Sequence, residues 1–215
     1  MATTAEPQIA PLSVPDWYKW KHLSGILMYI GIVGNAFVLA SYFKYPELHN
    51  PTNMLIATQA VADLFTSCIA IVYDYLNYSL SGVILASQYK YLCLFVLSSI
   101  MLSIWSSLFN VLLLSADRLF SIQFPFVCMR IVSEQVVKRV VIILWLLMTA
   151  FVSMPLLGYN NWEPNQMCGS LQVVPKDYLM NFYFLSFAAL FLVAIINLTI
   201  CCIVIRKRKV TPSGM

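Results

Sequence analysis

The chain has 215 residues, 60% of them hydrophobic and 10% charged, with a formal net charge of +4 at pH 7. Soluble domains carry roughly 25% charged residues, so composition excludes a water-soluble fold, and a mean hydropathy of +0.79 points the same way. The natural solvent of such a chain is lipid. The expected fold class is an all-α membrane protein, a transmembrane helix bundle in which every backbone polar group is satisfied within its own segment.

In chain order, residues 1–21 read as an extracellular tail. They lack the basic start and apolar run of a cleavable signal peptide. Trp17, Tyr18 and Trp20 suit an aromatic belt at the membrane interface. Five stretches are then long and apolar enough to cross the hydrocarbon core, at about 22–43, 54–75, 91–118, 138–157 and 178–205. Together they make one bundle over 22–205, followed by a basic end at 206–215. With the N-terminus outside, nine basic residues fall on the cytoplasmic side and four, Lys19, Lys21, Lys90 and Lys176, fall outside. The run Arg206–Lys207–Arg208–Lys209 does most to set this orientation. The positive charge is thus a topology signal, and no nucleic-acid partner is expected.

Cys93 opens the third span and Cys168 lies between the fourth and fifth, both on the oxidising outer face. They are suited to pair, the alternative being two free thiols. Cys68 reads as core filling, and Cys201 and Cys202 as apolar packing or an acylation site near the inner surface. Asn77-Tyr78-Ser79 is a glycosylation sequon in the first outer loop. A charge at mid-bilayer costs about 2.5–3.5 kcal/mol on insertion scales, and Asp63 is the acid set deep in a span. Asn35 and Ser107 lie at similar depth, so the three are expected to meet around water or a sodium ion. The third span also carries Cys93, Leu97, Ile100, Ile104, Ser107, Val111, Leu114 and Arg118 at alternating spacings of four and three. That spacing puts them on one helix face, expected to look into the bundle.

These residues resemble the rhodopsin-like G-protein-coupled receptors. The resemblance is carried by Gly34-Asn35 in the first span and "AVADL" with Asp63 in the second. Cys93 opens the third span and "ADRL" with Asp117-Arg118 ends it. Trp145 stands in the fourth span and Cys168 in the second outer loop. It covers about Ser24 to Lys209. The resemblance implies ligand-activated signalling through a heterotrimeric G protein at the plasma membrane. In that family the arginine is held by its neighbouring acid at rest and released on activation, which casts Arg118 as switch and Asp117 as restraint. Leu119 departs from the aromatic usual after the arginine. Pro125, within Phe124-Pro125-Phe126, resembles the loop segment that enters the G protein. Asp63, Ser107 and Asn35 resemble an allosteric sodium pocket, and no other cofactor or metal is implied.

The stretch "LLGYNNWEPNQMCGSLQVVPKDYLMNFYF" resembles the second outer loop and fifth-span entry of adenosine receptors. The chain departs from that pattern at Gly169, Ser170, Leu171 and Ile104. Aminergic relatives carry an acid where Ile100 or Met101 stands here. The ligand-pocket candidates Leu97, Ile100, Met101 and Ile104 are apolar and suit a small-molecule or lipid-like ligand, with membrane lipids as further partners. Residues 206–215 correspond to the start of the third inner loop, so the sixth and seventh spans of the family are expected to be missing, and the chain reads as a five-span fragment or truncated form. The alternative is a non-signalling five-span protein that associates with full-length receptors. A transporter would need more intramembrane polar groups or an inverted repeat. No catalytic constellation lies at a common depth, so an enzyme is not expected.

Overall fold

The computed structural model describes the backbone of residues 21–210 and the side chains of 24–128 and 130–207. Trp17, Tyr18 and Trp20 lie outside the described residues, as does nearly all of the 1–21 tail. The described residues are helical, with no strand among them. The helices are α1 (Lys21–Lys44), α2 (Pro51–Tyr78), α3 (Leu80–Gln88), α4 (Lys90–Gln123), α5 (Pro125–Ile131), α6 (Glu134–Val152), α7 (Ser170–Val173) and α8 (Lys176–Val210). Five of them, α1, α2, α4, α6 and α8, are long and apolar enough to cross a membrane.

Local chemistry sets the boundaries. Asn50 caps α2 by accepting from the Asn53 amide, with Pro51 in the first turn, where its missing N–H costs nothing. Ser79 ends α2 and at once caps α3 by accepting from the Gly82 amide. The first outer connection is therefore a helix rather than an open loop. Helix α4 stops at Gln123 because Phe124 precedes Pro125 and is pushed out of the helical region, at φ −131° and ψ 63°. Helix α6 ends at Val152, short of the expected 157, since Met154 precedes Pro155 and the chain turns through Gly158 at φ +118°. A left-handed φ of that kind suits glycine.

α4 is the hub. It packs against α2, α3, α5, α6 and α8, while α1 touches α2 and the short turn at Pro46–Leu48. The buried residues of α4 include Ser99, Ser103, Ser106 and Asn110, and those of α2 include Ala57, Ala60 and Ala62. Small residues let apolar helices approach closely where no hydrophobic drive separates protein from lipid.

The expected inward stripe is buried at its outer end, at Cys93 and Leu97, and then opens: Ile104 is 46% exposed and Arg118 is exposed. The faces of α4 that pack are those of Leu94, Met101 and Trp105 and of the serines. Spacing alone could not choose among faces that are all apolar or small. Cys68, expected in the core, is exposed, as suits a small thiol facing lipid.

Trp105 joins three helices. Its ring stacks on Phe151 of α6 at 4.7 Å and on Phe182 of α8 at 4.9 Å. Its indole N–H donates to Ser186 Oγ at 2.9 Å. Aromatic pairs add about 0.5–1.5 kcal/mol beyond their buried area. Replacing Trp105 with alanine removes both stacks and opens a cavity, so a loss of about 3–5 kcal/mol is expected. Trp105→Phe keeps the stacking and should lose about 1 kcal/mol with the hydrogen bond. Thermal unfolding of the two variants in lipid nanodiscs checks this order.

Candidate functional site

The outer end of the bundle is fixed covalently. Cys93 and Cys168 form a disulfide with Cα atoms 5.7 Å apart, bridging a sequence separation of 75. The outer loop that carries Cys168 is tied down further. Asn165 donates its backbone N–H to Ser87 O, and Asn161 donates to Val173 O. Cys168 is buried together with Val173, Val174 and Tyr178 in the main core cluster. Tyr178 donates its hydroxyl to Phe151 O at 3.0 Å, so the entry of α8 is anchored on α6.

The ligand-pocket candidates do not share one surface. Leu97 and Met101 are packed into the core cluster, Ile100 is half-buried, and Ile104 is open to the side of the bundle where no described helix stands. The sequon asparagine, Asn77, is 8% exposed within the last turns of α2, and its side-chain amide donates to Tyr73 O at 3.0 Å.

Near the middle of the spans the structure joins Asp63 and Ser107 by a hydrogen bond, in which Asn35 takes no part. Ser107 Oγ donates to Asp63 Oδ1 at 3.0 Å. Asn35 spends its amide on Gly31 O, one turn back on its own helix, at 2.9 Å. Sequence reasoning missed Gln59, which stands one turn before Asp63 in "ATQAVAD", on the same helix face. Its Nε2 donates to Asp63 Oδ1 at 2.9 Å and to Ser107 Oγ at 2.8 Å. The other end of the same amide, Oε1, is buried without a hydrogen-bond partner, a cost of about 1–3 kcal/mol. The amide nitrogen thus bridges Asp63 Oδ1 and Ser107 Oγ, two of the oxygens that a sodium ion here would use.

At the other end of α4, the Asp117 carboxylate accepts a hydrogen bond from Thr52 Oγ1 of α2 at 2.9 Å. Arg118 is exposed, and no ion pair joins it to Asp117 among the described residues. The acid is therefore held across helices rather than by its neighbour in sequence. Adjacent positions on a helix point about 100° apart and do not face each other. Pro125 opens α5 beside this end, and Phe126 is 80% exposed. Lys207 of α8 donates to Ile122 O at 3.3 Å, and Asn197 of α8 donates to Ser115 Oγ at 3.2 Å, so α8 is laced to the last turns of α4. Trp145 of α6 packs against both core clusters. It lines a groove of about 540 Å³ between α1, α2 and α6, away from both polar centres.

Residues 34–213 match the family described as 7 transmembrane receptor (rhodopsin family). Among curated relatives, the chain is 28% identical over 171 residues to the adenosine receptor A2a of Homo sapiens, covering 73% of this chain and 40% of the relative. It is 29% identical over 170 residues to the octopamine receptor of Bombyx mori, covering 73% of this chain and 33% of the relative. A probable G-protein coupled receptor, No18, of Amphibalanus amphitrite is 30% identical over 143 residues, covering 63% of this chain and 35% of that protein. The chain thus spans two fifths or less of the length of these relatives.

The Cys93–Cys168 bridge leaves Cys68, Cys128, Cys201 and Cys202 as thiols. Denatured without reductant, the protein should titrate four thiols, and reduction should release two more. Closing so long a loop restricts the unfolded chain by about 4 kcal/mol in the loop-entropy account, so Cys168→Ser should also lower the unfolding midpoint. Six thiols before reduction would contradict the bridge.

Proposed function

The chain belongs to the rhodopsin family of seven-transmembrane receptors, and we propose that it serves as the five-span portion of a ligand-activated receptor that signals through a heterotrimeric G protein. The observation that carries this reading is the inner end of α4. Arg118 stands exposed there, its neighbouring acid is engaged by Thr52 instead, and Phe126 is exposed on the short helix that follows. An exposed guanidinium and an exposed aromatic at this end are the chemistry of a protein-docking surface, since arginine and aromatics dominate interface energetics. The distribution of basic residues supports a cytoplasmic position for this end and an outer one for the disulfide, in keeping with the plasma-membrane orientation of a receptor.

The ligand reading follows from the outer end. Relatives of this chain are named for adenosine and for octopamine. An amine would need a buried counter-charge, and Ile100 and Ile104, the candidates not packed into the core, offer none. Binding beside them falls to apolar contact, which fits an uncharged or lipid-like small molecule. The relatives are receptors, and no titratable cluster among the described residues is arranged to hold a metal.

Guanine-nucleotide exchange in membranes bearing the full transcript product tests the coupling claim. Arg118→Ala should cut exchange about tenfold or more, the scale of losing a charged docking contact, while surface amount and the disulfide stay unchanged. Exchange equal to the parent would contradict the assignment of Arg118.

A further inference from the structure

We propose that the side-chain amide of Gln59 is the built-in counter-group of Asp63, standing where a monovalent cation would otherwise sit, and that it makes this centre indifferent to sodium. The three atoms Gln59 Nε2, Asp63 Oδ1 and Ser107 Oγ form a closed triangle with sides of 2.8, 2.9 and 3.0 Å. An ion that bridges Asp63 Oδ1 and Ser107 Oγ competes with the amide nitrogen, which already contacts both oxygens. The two N–H groups of the amide carry partial positive charge toward the same two oxygens, so the amide performs part of the cation's electrostatic work.

The amide is held in this sense by the acid. Reversing it would give Oε1 a chance of another partner, but would turn an oxygen lone pair toward the carboxylate. With the nitrogen toward the carboxylate, Oε1 is left buried without a partner, as expected if contact with Asp63 sets the amide's orientation. Asn35, the third expected partner, donates its side-chain amide to Gly31 O on its own helix rather than to Asp63. Sodium specificity at this centre is then a property of residue 59. A side chain that cannot donate there leaves Asp63 Oδ1 and Ser107 Oγ free to take an ion.

The inference stands on the mid-bilayer geometry and does not depend on G-protein coupling. Its test is the thermal unfolding midpoint of the chain in lipid nanodiscs, in sodium chloride against choline chloride at equal ionic strength. The parent should show the same midpoint in both salts. Gln59→Leu should gain a sodium-specific rise of about 3–6 °C at sodium tenfold above its Kd, and Gln59→Leu combined with Asp63→Asn should lose that gain. A purely structural role for Gln59 would lower the midpoint of Gln59→Leu equally in both salts, which would overturn the proposal. A parent that already responds to sodium, with the response removed by Asp63→Asn, would overturn it as well. If Gln59→Leu does not fold, Gln59→Met replaces it. The ²³Na linewidth over the parent, compared with Asp63→Asn, then reads the same site without any substitution at residue 59. Equal linewidths are expected, and excess broadening by the parent alone would overturn the proposal.

Discussion

A helix in lipid has no water to satisfy its polar side chains, so polar groups on α4 find partners in the bundle or on its own backbone, with Ser98 Oγ, buried without a partner, as an exception. That constraint organises the molecule. Along α4 the cross-links come in sequence: the Cys93–Cys168 disulfide, Trp105 to Ser186, Ser107 to Asp63 and Gln59, Ser115 to Asn197, and Asp117 to Thr52. Each joins α4 to α2, to α8 or to the outer loop. Hydrogen bonds between membrane helices are individually modest, averaging about 0.6 kcal/mol. Their effect is to fix register and rotation, after which the small residues of α2 and α4 pack closely.

The same constraint accounts for polar side chains that make no cross-link. Ser103, Ser106, Asn110 and Asn35 donate to backbone carbonyls three or four residues back. Back-bonding of this kind is the cheap solution for a polar group that faces no polar neighbour. It turns the Asn35 amide nitrogen to its own helix rather than to Asp63.

Much of this was legible in the sequence. The bundle followed from composition and span length. The disulfide followed from two cysteines on the oxidising side. The pairing of Asp63 with Ser107 followed from the cost of polar groups in lipid. What stayed hidden has physical reasons. The rotation of α4 could not be read, because the stripe that ends at Arg118 and the serine-bearing faces are equally compatible with lipid and with protein. The spacing of Ser99, Ser103 and Ser106 was the available signal of close packing. Gln59 was overlooked because an amide one turn from an acid is common on any helix. Asn77 matched a sequon whose use depends on exposure, and exposure is a tertiary property. The acid–base pair that drew attention at Asp117 and Arg118 was read as a local restraint, whereas neighbouring helix positions diverge and the carboxylate reaches Thr52.

That last contact carries the account of how the inner end of α4 is held. Double-mutant cycles on unfolding free energy in lipid nanodiscs test it most directly, pairing Thr52→Val with Asp117→Asn and, separately, Asp117→Asn with Arg118→Gln. A coupling of about 0.6–2 kcal/mol is expected for Thr52 with Asp117, and a coupling near zero for Asp117 with Arg118. The reverse pattern, with the energy residing in the adjacent pair and none between α2 and α4, would contradict it.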